Sequence, residues 1–416
     1  MKKNIFLSLM IFLIAGILIA CGGNEKASKD GNTIDVALWD ENVKPIVNES
    51  IKRFNEKHPD VKVNVTYTPF KDYWTKLRTG LNGGSGPDIF WMNGPNFYDY
   101  VDNGLINDVE DALVKGDISK DDITPAILDL YSKDDKLYGL PFFSDMVALY
   151  YNKAIFDEKN IPYPDDTWDW SKIEEVGKEL TDKSKGIYGF GSAFSDQQGF
   201  YNYIPQNGGF IMSEDKTESG YDTPEAIEAL EWQYKMMKEG ISPTAQEQVE
   251  TELIQSFSSG KIAVWPALSV RAGQLFETLG EDLGVTVLPT GKQRATTVHG
   301  ISWAVNAKKQ DDEVIQDLAL ELSGKDAQKQ LAEAGFGIPT FLDQQDIWTE
   351  SIEELDLAPL IESMKNDGVP YPVSKNTSEW QKVQNDEIQK AFFGEQTVEE
   401  AVKKIATEMN EILTKK

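Results

Sequence analysis

From Ile34 to Met92 the apolar pattern switches repeatedly between strand and helix periods, and no other feature of the chain constrains its fold as much. Ile34, Val36 and Leu38 alternate along one strand, and Val43, Ile46, Val47, Ile51 and Phe54 follow at helical spacing. His58-Pro59 stops that helix. Val61, Val63, Val65 and Tyr67 alternate again, a second helix covers Tyr73 to Leu81, and Pro87 to Met92 reads as a buried strand. A β-α-β-α-β series of this kind predicts an α/β domain built on a largely parallel sheet.

The alternation continues through the chain. Strands are expected at Leu137 to Pro141, Val147 to Tyr151, Ile262 to Trp265, Gly284 to Leu288 and Ile301 to Val305, with helices at Ile173 to Leu180 and Thr223 to Lys238. From about Asp311 the pattern is helical, and Val398, Ala401, Val402, Ile405, Met409 and Ile412 form one core-facing stripe. Parallel sheets hold ligands in the crevice beyond the carboxyl ends of their strands. Trp39 with Asp40, and Trp91 with Asn93, are therefore candidates for binding, although a strand-ending tryptophan also suits a core.

The N-terminus predicts where the chain works. Lys2 and Lys3 precede an apolar stretch from Ile5 to Ala20, the pattern of a signal peptide and, at 16 residues, short for a span of about 20. It ends Leu18-Ile19-Ala20-Cys21-Gly22, a lipobox in which Cys21, the chain's single cysteine, becomes the lipid attachment point. With that thiol consumed no disulfide forms, so the core alone must hold the fold. Residues 1–20 are thus expected to be a signal peptide and 21–32 a polar, lipidated tether. The remainder is long enough for two domains. With 69 acidic residues against 41 basic, the net charge of -28 repels nucleic acid and anionic membrane surfaces alike.

Four segments carry a family likeness: Gly86 to Trp91, Pro141 through Asp145 to Lys153, Gly284 to Thr290, and Gly394 to Ala401. In order and spacing they resemble the extracellular solute-binding proteins of carbohydrate ABC importers. The resemblance implies two α/β lobes, each a mostly parallel sheet flanked by helices, that close about a hinge on a ligand held between them. It places chain crossings near Phe143, near Trp303 and near Gly337 to Pro339. The lobes would then be 33–143 plus 304–338 and 144–303 plus 339–416. It further implies stacking roles for Trp91 and Trp380, hydroxyl-binding roles for Asp40 and Asp145, and an aromatic wall at Tyr201 to Tyr203. The family's maltose-binding member has a stacking tryptophan where this chain has Pro266-Ala267, its own indole standing at Trp265. That member also has an Asp and an Arg where this chain has Gly94 and Pro95, which speaks against maltose itself.

A pyranose ring has apolar faces and polar edges, so its site needs flat aromatic platforms ringed by hydrogen-bonding groups. Trp91, Tyr201, Tyr203, Trp303 and Trp380, with Asp40, Asn93, Asp145 and His299, supply both kinds. Packing is the competing role for every aromatic among them, and it suits Trp303, Tyr201, Tyr203 and Trp265 as well as stacking does, just as a structural hydrogen bond suits His299. Several platforms suggest an oligosaccharide. The expected partners are that ligand, the importer's permease subunits and the membrane, through the anchor at Cys21, outside the cytoplasm. No P-loop, HExxH or G-x-S-x-G motif occurs, and no cofactor or metal is expected. The competing readings are a glycosidase, which needs two placed carboxylates, and a receptor of the same fold for a polyamine, ferric iron or a peptide.

Overall fold

The computed structural model describes residues 33–309 and 311–415. The expected signal segment, the tether and Cys21 lie outside the described residues.

The chain opens with β1 (Thr33–Leu38), α1 (Lys44–Lys57), β2 (Lys62–Tyr67), α2 (Phe70–Gly83), β3 (Ile89–Asn93) and α3 (Gly94–Asp102). Gly84 ends α2 at φ 74°, a left-handed cap from which its N–H reaches Gly80 O and Leu81 O. β4 (Leu140–Asp145), β5 (Val147–Asn152), α4 (Trp170–Leu180), β6 (Tyr188–Phe190), α5 (Pro224–Lys238), β7 (Ile262–Leu268) and β8 (Leu283–Thr286) follow. Thr223 caps α5 by accepting the Ala226 N–H, with Pro224 at the first helical position. The last third holds β9 (Thr296–Val305), α6 (Glu313–Ser323), α7 (Lys325–Glu333), β10 (Ile338–Pro339), α8 (Ala358–Asp367), β11 (Gly368–Pro370), α9 (Thr377–Phe392) and α10 (Val398–Leu413). Thr397 and Glu400 form a reciprocal capping box at the start of α10.

Two sheets with flanking helices form the two lobes; one buried apolar cluster runs through both, and a second lies on the other face of the second sheet. The first sheet has the order β10-β4-β9-β3-β1-β2, with β11 beside the start of β9, and the second the order β8-β5-β7-β6. β1, β2 and β3 are parallel neighbours, as their alternation with helices predicts. β9 runs antiparallel to both β3 and β4, so the first sheet is mixed. The reason is direction of entry: β3 and β4 end at the edge facing the second lobe, whereas β9 arrives from that lobe and starts there. In the second sheet β5 is antiparallel to both neighbours, and the β6–β7 pair is parallel. Gly300 in β9 is a packing requirement, since a Cβ there would lie 2.4 Å from Phe143 O and 2.7 Å from Ile127 Cδ1.

The second and third crossings sit elsewhere than the resemblance suggested, whereas the first is within three residues of Phe143. The first lies at Met146, between β4 and β5. The second is the start of β9, where Thr296 Oγ1 donates to Val147 O at 3.0 Å. Trp303 lies well inside the first sheet, opposite Trp91 and Leu140. Nor does the chain leave the first lobe at Gly337 to Pro339, because Ile338 and Pro339 pair with Ser144 and Phe143. It stays there through α8 and passes across only after β11 has paired with Thr296 to Val298.

Candidate functional site

Because β2, β1 and β3 are parallel neighbours, their carboxyl ends form a row along one edge of the first lobe. Trp39 and Asp40 follow β1, Thr68 to Phe70 follow β2, and Asn93 ends β3. Trp39 packs edge-on against Trp91 at 4.8 Å between ring centroids, and against Tyr73 and Phe70 at 5.0 and 5.5 Å. Trp91 itself is buried, and its Nε1 has no hydrogen-bond partner among the described residues. Asp40 accepts the Asn42 N–H at 2.9 Å. Asn93 caps α3, its Oδ1 accepting from the Asn96 amide nitrogens.

The row runs into the crossings, where buried polar groups collect. Asp145 Oδ1 accepts from Ser269 Oγ at 2.8 Å and from Val270 N at 3.4 Å, both just beyond β7 in the second lobe. Burial pushes its pKa up to about 6, partly offset by those two donors and by Arg271. His299 is its ladder partner in β9. The His299 ring faces Tyr371 at 4.9 Å, with the Gly94 N–H directed at Nε2 at 3.4 Å. Burial holds the His299 pKa down to about 4, so the imidazole is neutral at pH 7.

On the second-lobe side Tyr371 donates to Asp196 Oδ2 at 2.8 Å and accepts from Gln381 Nε2 at 2.8 Å. Tyr201 and Tyr221 both donate to Gln384 Oε1, at 2.8 and 2.5 Å, and the Tyr201 ring meets Tyr371 at 5.1 Å. Burial raises the Asp196 pKa as well. Asp196, Tyr371 and Gln381 were not legible as candidates. Asp196 opens a short, irregular π-helical turn and Tyr371 follows a three-residue strand, the prolines at 370 and 372 being the one signal of a constrained crossing.

Trp39, Asp40, Trp91, Asn93, Asp145, His299 and Tyr201 thus lie on or beside the edge where the lobes meet. Three other candidates do not. Trp303 is packed within the first sheet against Trp91 and Phe142 at 5.8 and 5.7 Å, because position 303 is mid-strand rather than strand-ending. Trp265 lies within β7, opposite Tyr150, and packs on Phe257 at 5.6 Å. Tyr203 is buried against Trp170 and Trp232 at 6.0 and 5.1 Å. Trp380 is fully buried on α9, its Nε1 donating to Ser374 Oγ at 2.9 Å. Across the interface Lys216 Nζ donates to Tyr98 Oη at 2.9 Å. The 360 Å³ cavity lined by Phe54, Lys57, Lys115, Asp317 and Glu321 shares no residue with this edge. Its charges pair with one another, Lys57 with Glu321 at 3.0 Å and Lys115 with Asp317 at 2.6 Å.

Comparison with known proteins agrees with this architecture. The chain is 27% identical over 343 residues to the galactooligosaccharide-binding protein of Bacillus subtilis (strain 168), covering 78% of this chain and 77% of that one. It superposes on the ABC substrate-binding protein from Listeria monocytogenes in complex with cycloalternan with a TM-score of 0.85 at 26% identity, over 92% of this chain and 99% of that one. Maltose-bound MalE3 of T. maritima shares the fold, with a TM-score of 0.79 at 20% identity over 91% of this chain and 99% of that one. The family model for bacterial extracellular solute-binding proteins matches residues 40–329, and the chain belongs to that family.

Proposed function

We propose that this protein is the extracytoplasmic receptor subunit of an ABC importer, and that it captures an oligosaccharide between its lobes and presents it to the permease. One observation carries the reading: aromatic and hydrogen-bonding side chains from three adjacent strand ends adjoin buried Asp145 and His299 where the chain crosses between lobes. Trp39, backed by the buried Trp91, offers a ring face, Asp40 and Asn93 hydrogen-bonding groups, and Tyr201 with Tyr371 and Asp196 the opposing wall. The galactooligosaccharide-binding relative and the cycloalternan complex point to the same ligand class. Closure follows from ligand contacts that exist only when both lobes engage it.

Binding without turnover is the direct test. Titration with galactooligosaccharides and maltooligosaccharides, followed by chromatography of the recovered sugar, is expected to show saturable binding of at least one series and no cleavage. At a hundred times its dissociation constant the bound sugar should stabilise the protein by about 2.7 kcal/mol. Shortened products would mark a glycosidase, and stabilisation by a polyamine or peptide alone would assign another solute.

We also propose that Cys21 is lipidated and holds the receptor to the outer face of the cytoplasmic membrane. Among the described residues no helix is long and apolar enough to cross a membrane. Replacing Cys21 with alanine is expected to move the protein from the membrane fraction to a soluble one or to the medium. Unchanged retention would argue against the anchor.

A further inference from the structure

Phe70 is the first residue of α2 and follows β2, the outermost strand of the first sheet. It continues the helix's buried stripe of Tyr73, Leu77 and Leu81, but it stands beyond the strand ends, where no sheet covers it. The residue is 53% exposed, an unusual position for a phenylalanine anchored edge-on to two tryptophans, Trp39 at 5.5 Å and Trp74 at 6.3 Å. Trp91, Trp39 and Phe70 form one unbroken series of ring contacts leading from the buried crossing region to solvent. Asp40 lies beside that series, at the end of β1.

We propose that Phe70 is the platform of an outer subsite, which stacks a sugar ring beyond those held between the lobes and so sets a preference for longer chains. This rests on the carbohydrate reading above. The geometry has three parts: Phe70 extends the row of strand-ending residues by one strand, away from the crossings; its exposed face is apolar; and its ring is held in place by neighbours and needs little ordering. A pyranose face matches such a surface, and in the ring series Phe70 stands one residue farther from the crossings than Trp39.

The test compares wild type, Phe70→Ala and Phe70→Tyr by calorimetric titration with galactooligosaccharides and maltooligosaccharides from disaccharide to hexasaccharide. Phe70→Ala is expected to weaken the longer chains of the bound series about tenfold and the disaccharide less than about twofold. Phe70→Tyr should retain wild-type affinities, because the ring face is kept. The exposed position predicts unchanged unliganded melting curves for both variants. Equal weakening at every chain length, or none at any, would overturn the subsite and leave the carbohydrate reading standing. A wild-type protein that binds neither series would overturn both.

Discussion

Truncation of Trp303 to alanine is expected to cost about 3 to 5 kcal/mol of folding stability while leaving solute affinity in the folded fraction within about twofold of wild type. The indole is fully buried at the centre of the first sheet, facing Trp91 across one strand pair and Phe142 across the other. Alanine would leave a cavity that two sheet strands, fixed by their ladders, cannot collapse to fill. Its Nε1 makes no hydrogen bond among the described residues, so the loss is one of packing. Urea denaturation and calorimetric titration of the one variant decide the matter. Wild-type stability with a tenfold or greater loss of affinity would return Trp303 to the binding surface.

The second large effect is a pair of opposed pH dependences at the first two crossings. Asp145 titrates near 6 in the native protein against 3.8 ordinarily, so its contribution is full below about pH 4 and is lost as pH rises through 6. His299 titrates near 4 against 6.5, so its contribution is full above 6.5 and is lost as pH falls through 4. Each is worth about 3 kcal/mol over that window, and in wild type the two largely cancel. Asp145→Asn is therefore expected to lose stability relative to wild type on acidification from pH 6.5 to 4, and His299→Gln to gain it. The raised Asp196 adds to the Asp145 direction and persists in both variants. Denaturation midpoints across that range measure the slopes. Parallel profiles for all three proteins would show that neither group titrates where its burial places it.

The first lobe was legible because its information is local: Ile34 to Met92 carries three strands and two helices in an unbroken alternation, and the observed β1, β2 and β3 follow it. Helix starts were equally plain where a capping hydroxyl marks them, as at Thr223. The sequence pattern of β9 was readable from Ile301, but its first five residues were not, since Thr296, Thr297 and Gly300 interrupt the apolar run. That gap hid the start of β9, where the second crossing lies. Gly337 to Pro339 has the composition of a crossing, yet pairing of Ile338 and Pro339 with β4 is a long-range property no local pattern encodes. The same holds for the second-lobe wall. Gln381 sits next to Trp380 in sequence, but on α9 it is the glutamine that turns toward Tyr371 while the indole is bonded to Ser374.

The placement of β9 also dictates the order of assembly. It lies between β3 and β4, and the Gly94–His299 contact it brings closes a loop of 205 residues. Until residues near 300 are synthesised the first sheet is split, with β3 and β4 each presenting an unpaired edge. Long loop closures of this kind fold slowly, because chain entropy opposes them before any contact compensates. An extracytoplasmic chain has to reach the far side of a membrane, and a central strand delivered late keeps the emerging polypeptide open during that passage.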